Sequence, residues 1–305
     1  MDSSTFRSAF IALIGRPNSG KSTLLNAVVG EEVSIVSALP QTTRSALKGI
    51  YTTDTMQLVF TDTPGVHHGR HTFNKAMLQQ ARGAVADDVN VVCWLVDLSR
   101  PIGGEENAVA DLVGTAGRAQ RLVVFNKCDI ARSVDTAIAA FYRAFPHAAE
   151  FPSVRLSAVS ADAKEQFLAA VDPFIPQGPR YFDPDDLTDA TMRQIAAEYI
   201  RKQVIANAGE EVPHAVFVEI ETYREKEGRH EIVATLHVET NGQRGIIVGK
   251  AGSVIARIKK GARQELTRIT GAPVSLTCHV KVSPRWRDSI DFLRQVGVDV
   301  PRSSR

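Results

Sequence analysis

The 305-residue chain lacks any run approaching the roughly 18 consecutive apolar residues that a membrane-spanning helix needs. Its one apolar stretch near the start, residues 9–14, is short and runs straight into a glycine-bearing motif, so it reads as a buried strand and not as a signal peptide. Cysteine is scarce. Cys93, Cys128 and Cys278 are odd in number and far apart, which excludes a disulfide framework and any familiar metal-ligand spacing and fits a reducing cytoplasm. There is no internal repeat and no low-complexity tract. Acidic residues are scarce in one region only. From Arg244 onward there are thirteen basic residues against four acidic ones, about +9, which leaves about −7 for the rest of a chain whose net charge is +2. That asymmetry points to a polyanion partner, either RNA, DNA or an anionic membrane surface, with a solvated basic face as the alternative.

What is present is ordinary globular composition, enough for one or two domains, with two successive rhythms. In the first half, apolar runs at residues 10–14, 58–60, 91–96, 122–125 and 154–156 end in polar loops that carry glycine or aspartate. Helical patterns lie between them at 21–29, 72–85, 105–114 and 134–144. Continuous apolar runs suit strands buried on both faces, and the alternation predicts a doubly wound α/β domain over residues 1–176. Proline, glycine and aspartate then crowd residues 177–187, which read as a linker. Past it, Thr188 or Asp189 is placed to cap a helix running to about residue 208. Alternating runs at 215–223 and 231–240 predict a hairpin, followed by a glycine-punctuated segment, a helix over 253–269 and a last strand over 274–282. The expected second domain, residues 188–305, is therefore a smaller α+β unit in the order α-β-β-α-α-β.

The clearest chemical signal is Gly15, Arg16, Pro17, Asn18, Ser19, Gly20, Lys21, Ser22 and Thr23 in succession, after an apolar run and at the opening of a helix. This is the phosphate-cradling P-loop. Glycines let backbone N–H groups wrap phosphates, the helix start favours negative charge, Lys21 reaches the outer phosphates and the Ser22 hydroxyl can ligate Mg²⁺. Asp62, Thr63, Pro64 and Gly65 follow a second strand. There Asp62 is placed to hold Mg²⁺ through water, and the Gly65 N–H to meet the third phosphate. Thr42 and Thr43 lie in the loop between; a hydroxyl there, Thr43 for preference, would complete the metal shell only while the third phosphate is present. The other reading of that pair is a plain polar loop. Asn126, Lys127 and Asp129 stand directly after a third strand, where a carboxylate can accept both edge hydrogens of guanine, which adenine does not offer. Ser157 and Ala158 close the last strand and can present a backbone N–H to the guanine oxygen. Lys21, Thr43 and Gly65 are the candidate catalytic residues. An ATP-using P-loop enzyme is the competing reading.

These four patterns, with the segment Ser34-Ile-Val-Ser-Ala-Leu-Pro-Gln-Thr-Thr-Arg44, resemble the Era family of translation-factor-like small GTPases. The likeness extends over nearly the whole chain, including residues 187–189 and 211–213. One departure from Ras-like chemistry is Val66, which stands where a water-orienting glutamine would be, so slow hydrolysis is expected. By resemblance Asn18 is a candidate K⁺ ligand; shaping the loop is its other reading. His67 and His68 are a candidate base or a solvated pair.

In the second domain Gly249, Lys250, Ala251 and Gly252 follow the apolar residues 246–248 and precede the helix. This resembles the GXXG loop of a type II KH domain, in which two glycines admit a nucleic-acid backbone and the helix start favours phosphate. Ile246, Arg257 and Lys260 join the candidate RNA contacts, beside Arg263. Trp286 is either a base-stacking residue or an apolar anchor. The family commonly carries glycine at the place of Ala251. The resemblance implies GTP and GDP as ligands and Mg²⁺ as cofactor. It also implies binding of the 3′ end of 16S ribosomal RNA and a role in assembly of the small (30S) ribosomal subunit. A monomer is expected, cytoplasmic, with peripheral contact to the inner membrane face as a further expectation. Against a strong membrane role, the helix at 253–269 is basic but has no aromatic-rich apolar face.

Overall fold

Strand β1 (Arg7–Gly15) forms because its apolar residues can be buried on both sides: Ile11 to Ile14 are all fully buried. It sits at the centre of a six-stranded sheet of order β2-β3-β1-β4-β5-β6 in the computed structural model, which describes residues 6–34, 36, 47–63, 65, 71–86, 89–208, 212, 215–298 and 300. The other strands are β2 (Leu47–Thr52), β3 (Met56–Asp62), β4 (Val91–Asp97), β5 (Gln120–Asn126) and β6 (Ser153–Arg155). β3, β1, β4, β5 and β6 run parallel, while β2 runs antiparallel to β3. The sheet is thus mixed rather than all parallel. The antiparallel strand lies at an edge, is only partly buried and carries no continuous apolar run.

Helices α1 (Lys21–Val29), α2 (Thr72–Ala86), α3 (Gly104–Gly114), α4 (Val134–Ala144) and α5 (Ala163–Val171) connect the strands. They leave a core on each face of the sheet. Val92, Trp94 and Val96 of β4 pack with Val109, Leu112 and Phe141 on one side; Val91, Cys93 and Leu95 pack with Leu24, Leu25 and Phe167 on the other. Each large side chain so buried contributes about 1.5–3 kcal/mol. The strand order reverses at β1, which has β3 on one side and β4 on the other. In open α/β sheets the crevice outside the strands' C-terminal ends at such a point is where ligands bind.

Two compact units divide the chain, residues 1–69 with 77–189 and residues 70–76 with 190–305. Residues 176–189 are bound along the first unit. Ser8 N donates to Pro176 O, Gly178 N to Phe6 O and Ile50 N to Leu187 O. Gln57, fully buried in β3, accepts from the N–H groups of Tyr181 and Phe182 and donates to Phe182 O and Thr52 Oγ1.

The second unit has helices α6 (Met192–Asn207), α7 (Asn241–Val248), α8 (Ser253–Thr270) and α9 (Ile290–Gln295), and strands β7 (Phe217–Lys226), β8 (Arg229–Val238) and β9 (Val274–Val282). β7 pairs antiparallel with β8, and β8 pairs parallel with β9. Ile200 and Val204 of α6 and Ile258, Ala262 and Leu266 of α8 pack on Ile232, Ala234 and Leu236 of β8. The α6 cap is Thr191, not the expected Thr188 or Asp189. Thr191 and Gln194 form a reciprocal capping box, while the Asp189 carboxylate accepts from Lys48 N and faces Lys48 Nζ at 3.2 Å.

Candidate nucleotide site and nucleic-acid interface

The sequence-predicted nucleotide residues gather at the C-terminal edge of the first sheet. β1 ends at Gly15 and leads into the P-loop, β3 ends at Asp62, β5 ends at Asn126, and Ser157 and Ala158 follow β6. Gly20 has φ 96° and caps α1; a Cβ there would lie 2.1 Å from Asn126 Nδ2, so only glycine fits. Asn126 is nearly fully buried and joins two loops with one side chain. Its Nδ2 donates to Ser19 O (2.8 Å), and its Oδ1 accepts from Ala158 N (2.9 Å). Lys127 follows in the left-handed region, φ 65°, and Asp129 is exposed beside it.

Lys21 is buried, and its Nζ donates to Gly15 O (3.1 Å) and Arg16 O (3.0 Å). Burial pushes this ammonium down to about 8, against the pull of the Asp62 and Glu106 carboxylates. Ser22 Oγ donates to Asp62 Oδ2 at 2.6 Å, and so does Ser34 Oγ at 2.8 Å. Hard oxygen donors thus converge on one buried carboxylate, a set that suits a small divalent cation such as Mg²⁺. Asn26 places Ser34: its Oδ1 accepts from Val33 N and Ser34 N, and its Nδ2 donates to Ser34 O. A Cβ on Gly65 would fall 2.7 Å from Pro17 Cα, so this glycine lies against the P-loop. Thr23 is half-buried in the first turn of α1. Thr42, Thr43, Pro64, Val66, His67 and His68 lie outside the described residues, as do Glu211 and Pro213.

Two side chains within these motifs turn to the scaffold. Thr63 is buried and its Oγ1 donates to Leu13 O, so it braces β1. The Arg16 side chain runs beneath the P-loop, with Nε 2.7 Å from Glu106 Oε2 and Nη1 donating to Pro101 O. Glu106 is fully buried and also accepts from Trp94 Nε1; burial raises its carboxyl in spite of those partners. Asp97, Arg100 and Glu106 border the site and are not flagged by the motifs. The sequence signal for Asp97 is a carboxylate closing the apolar run 91–96.

In the second unit α7 is capped by Thr240 and Gln243 and ends at Gly249, φ 73°. A Cβ at Gly249 would meet Val254 Cγ2 at 2.5 Å and Val254 N at 2.8 Å, so glycine is obligatory. Lys250 and Ala251 are exposed, Gly252 is left-handed and caps α8, and Ile246 is 44% exposed while Ile247 is fully buried. Arg257, Lys260 and Arg263 are exposed on α8. Trp286 is buried, donates from Nε1 to Ala215 O, and packs against Phe217 and Phe292. Of its two readings the anchor holds, because a ring only 1% exposed offers no face to a base.

This is a P-loop GTPase fold with a mixed sheet, followed by a type II KH domain. Residues 10–127 match the family described as 50S ribosome-binding GTPase, and residues 211–287 match the KH domain. GTPase Era of Geobacter metallireducens is 38% identical, with 97% of this chain and 99% of its own length covered. GTPase Era of Leuconostoc citreum is 40% identical, over 97% and 98%. The chain belongs to the GTPase Era family. Among solved structures, it is similar to Era in complex with MgGDPNP and nucleotides 1506–1542 of 16S ribosomal RNA (TM-score 0.89, 28% identity, 97% of this chain and 100% of that one). It is also similar to a variant of Aquifex aeolicus Era bound to GDP.AlF4− (TM-score 0.88, 29% identity, 97% and 100%).

Proposed function

We propose that this protein is a GTP-binding, slowly GTP-hydrolysing switch that binds 16S ribosomal RNA and acts in assembly of the small ribosomal subunit. The observation that carries the guanine half is Asn126, whose single amide ties the phosphate loop at Ser19 to the base loop at Ala158. In this reading Asp129 accepts the guanine edge hydrogens and the Ser157–Ala158 backbone meets the guanine oxygen, the Ala158 N–H being shared with Asn126 Oδ1. P-loop N–H groups and Lys21 bind the phosphates, and bound phosphate draws Lys21 away from its own carbonyls. Ser22, Asp62 and Thr43 would hold Mg²⁺, which supplies charge neutralisation across the outer phosphates. Water attacks the terminal phosphorus, the bond to the bridging oxygen breaks, and GDP and phosphate leave. The Gly65 N–H favours charge on the transferred group. With valine at position 66, no side chain there orients the water by hydrogen bonding, so the unassisted rate belongs at or below the roughly 10⁻⁴ per second of a Ras-like GTPase that keeps its glutamine.

The RNA half rests on the exposed Lys250–Ala251 loop between two glycines, the half-exposed Ile246 beside it and the basic residues Arg257 and Lys260. We assign residues 1–176 to nucleotide, 177–187 to the connection and 188–305 to RNA. The 3′ end of the 16S rRNA, a monomeric state, a cytoplasmic place and peripheral contact with anionic membrane belong to the same proposal. So does K⁺ at Asn18.

Phosphate release in K⁺ and in Na⁺ buffer tests both hydrolysis and the cation: turnover in both, faster in K⁺, is expected, and equal rates remove the K⁺ role. Crosslinking in cells followed by RNA sequencing, comparing wild type with the exposed-loop variant Lys250→Asp, tests the partner. Enrichment at the 16S 3′ end that the variant loses is expected; crosslinks absent from small-subunit RNA would overturn it.

A further inference from the structure

Asp97 closes β4 and is fully buried, yet its carboxylate is saturated with donors. Oδ2 accepts from Lys127 Nζ at 2.8 Å and from Arg100 Nε at 3.0 Å. Oδ1 accepts from Ser99 N at 2.9 Å and Ser99 Oγ at 2.5 Å. Burial pushes the Asp97 carboxyl up, but the Lys127 and Ser99 hydrogen bonds and the Lys127 charge outweigh it and leave it below the ordinary carboxylate value. A desolvated anion is retained only where such partners offset its loss of water.

The two cations reach opposite halves of the nucleotide site. Lys127 belongs to the loop read as the base site, and its backbone is held at φ 65°, a conformation that non-glycine residues adopt only when their surroundings impose it. Arg100 turns the other way: its Nη2 donates to Pro17 O, in the middle of the P-loop, at 2.8 Å. The turn after β4 therefore lies between the base loop and the phosphate loop. It forms a second tie in addition to Asn126.

We infer that Asp97 is a positioning residue for guanine-nucleotide binding: one buried carboxylate fixes Lys127 on the base side and, through Arg100, the Pro17 carbonyl on the phosphate side. The inference rests on the nucleotide reading above. Its consequence is that base and phosphate grip share one anion, so removing its charge loosens both while Asn126 keeps the loops assembled. Bound nucleotide would leave faster, and the defect would fall on KM more than on kcat, because Asp97 touches no reacting atom.

The test uses the full chain and dissociation of a fluorescent GDP analogue. Asp97→Asn keeps the shape and removes the charge. It should raise the dissociation rate about 10–100-fold, the loss of one or two hydrogen bonds to a charged group, and raise KM for GTP by a larger factor than it lowers kcat. In an Arg100→Ala, Lys127→Ala background the same substitution should add no further rise, since both arms are already gone. Arg100→Ala, whose side chain is 43% exposed, removes one arm without touching the core and should give a smaller rise, about threefold to tenfold. Unchanged dissociation in Asp97→Asn, or an equal rise with and without the two arms, would overturn the inference. If Asp97→Asn does not fold, unchanged dissociation in Arg100→Ala overturns it. Failure of the wild type to bind the GDP analogue at all would instead remove the nucleotide reading beneath it.

Discussion

Ala251 occupies φ 49°, a left-handed conformation that L-residues other than glycine adopt at a cost. It is exposed at the tip of the loop between α7 and α8. Ala251→Gly should therefore stabilise the second unit by about 0.5–1 kcal/mol, the relief of strain less the extra freedom glycine has when unfolded. Chemical denaturation of the two proteins measures it. The reverse change two residues earlier behaves differently. In Gly249→Ala the new methyl would be driven into Val254, so a loss of roughly 2–4 kcal/mol is expected from combined strain and overpacking. At this scale the sequence was informative where a residue type is irreplaceable. Gly20, Lys21, Ser22, Asp62 and Asn126 were legible because phosphate, metal and base chemistry restrict the choice at fixed spacings. Thr63 and Arg16 sit inside the same motifs but serve the scaffold, and Trp286 flanked by arginines looked available while being buried. Nothing in a linear pattern says which way a side chain turns.

At the scale of elements, the segment 176–189 is the instructive case. Its prolines, glycine and aspartates mark it as irregular, which it is, but its attachment to β1 and β2 runs largely through backbone groups that any residue carries. A side chain that could have revealed it is Gln57, a fully buried amide at the head of the apolar run 58–60. Replacing it by leucine leaves the part-buried N–H groups of Tyr181 and Phe182 without their acceptor, a loss of about 0.5–1.5 kcal/mol for each bond. Limited proteolysis of Gln57→Leu should cut within residues 177–189 faster than in wild type; an unchanged cleavage rate would show that the backbone bonds alone hold the segment. The antiparallel β2 and the helix α5 were also not legible, the first for want of an apolar run and the second because its nine residues are only partly apolar. The long apolar β4 and β5 and the amphipathic α8 were legible almost to the residue, since their periodicity is set by burial on two faces or on one.

At the scale of the whole molecule, the charge contrast between the two parts of the chain makes a quantitative demand. If the basic end binds RNA, its affinity must fall steeply with salt. Removing the exposed Lys250 or Arg257 should weaken binding and reduce the salt slope by about one each, whatever the RNA sequence. Filter binding of a 16S 3′-end fragment across salt concentrations measures this, and a flat salt dependence would leave the basic face without a phosphate partner. Guanine nucleotide binding was readable from Lys21, Asp62 and Asp129 by chemistry alone, whereas the RNA reading needed the element order and the family.

The most direct test of the guanine assignment is competition for bound fluorescent GDP by GTP, XTP and ATP, in the wild type and in Asp129→Asn. GTP should displace GDP from the wild type at least about 10³-fold more effectively than ATP, because adenine lacks the donor pair that Asp129 accepts. Asp129→Asn should reverse the order of GTP and XTP, since an amide can donate to the second carbonyl of xanthine. Displacement by ATP as effective as by GTP, or an unchanged order in the variant, would contradict the guanine assignment.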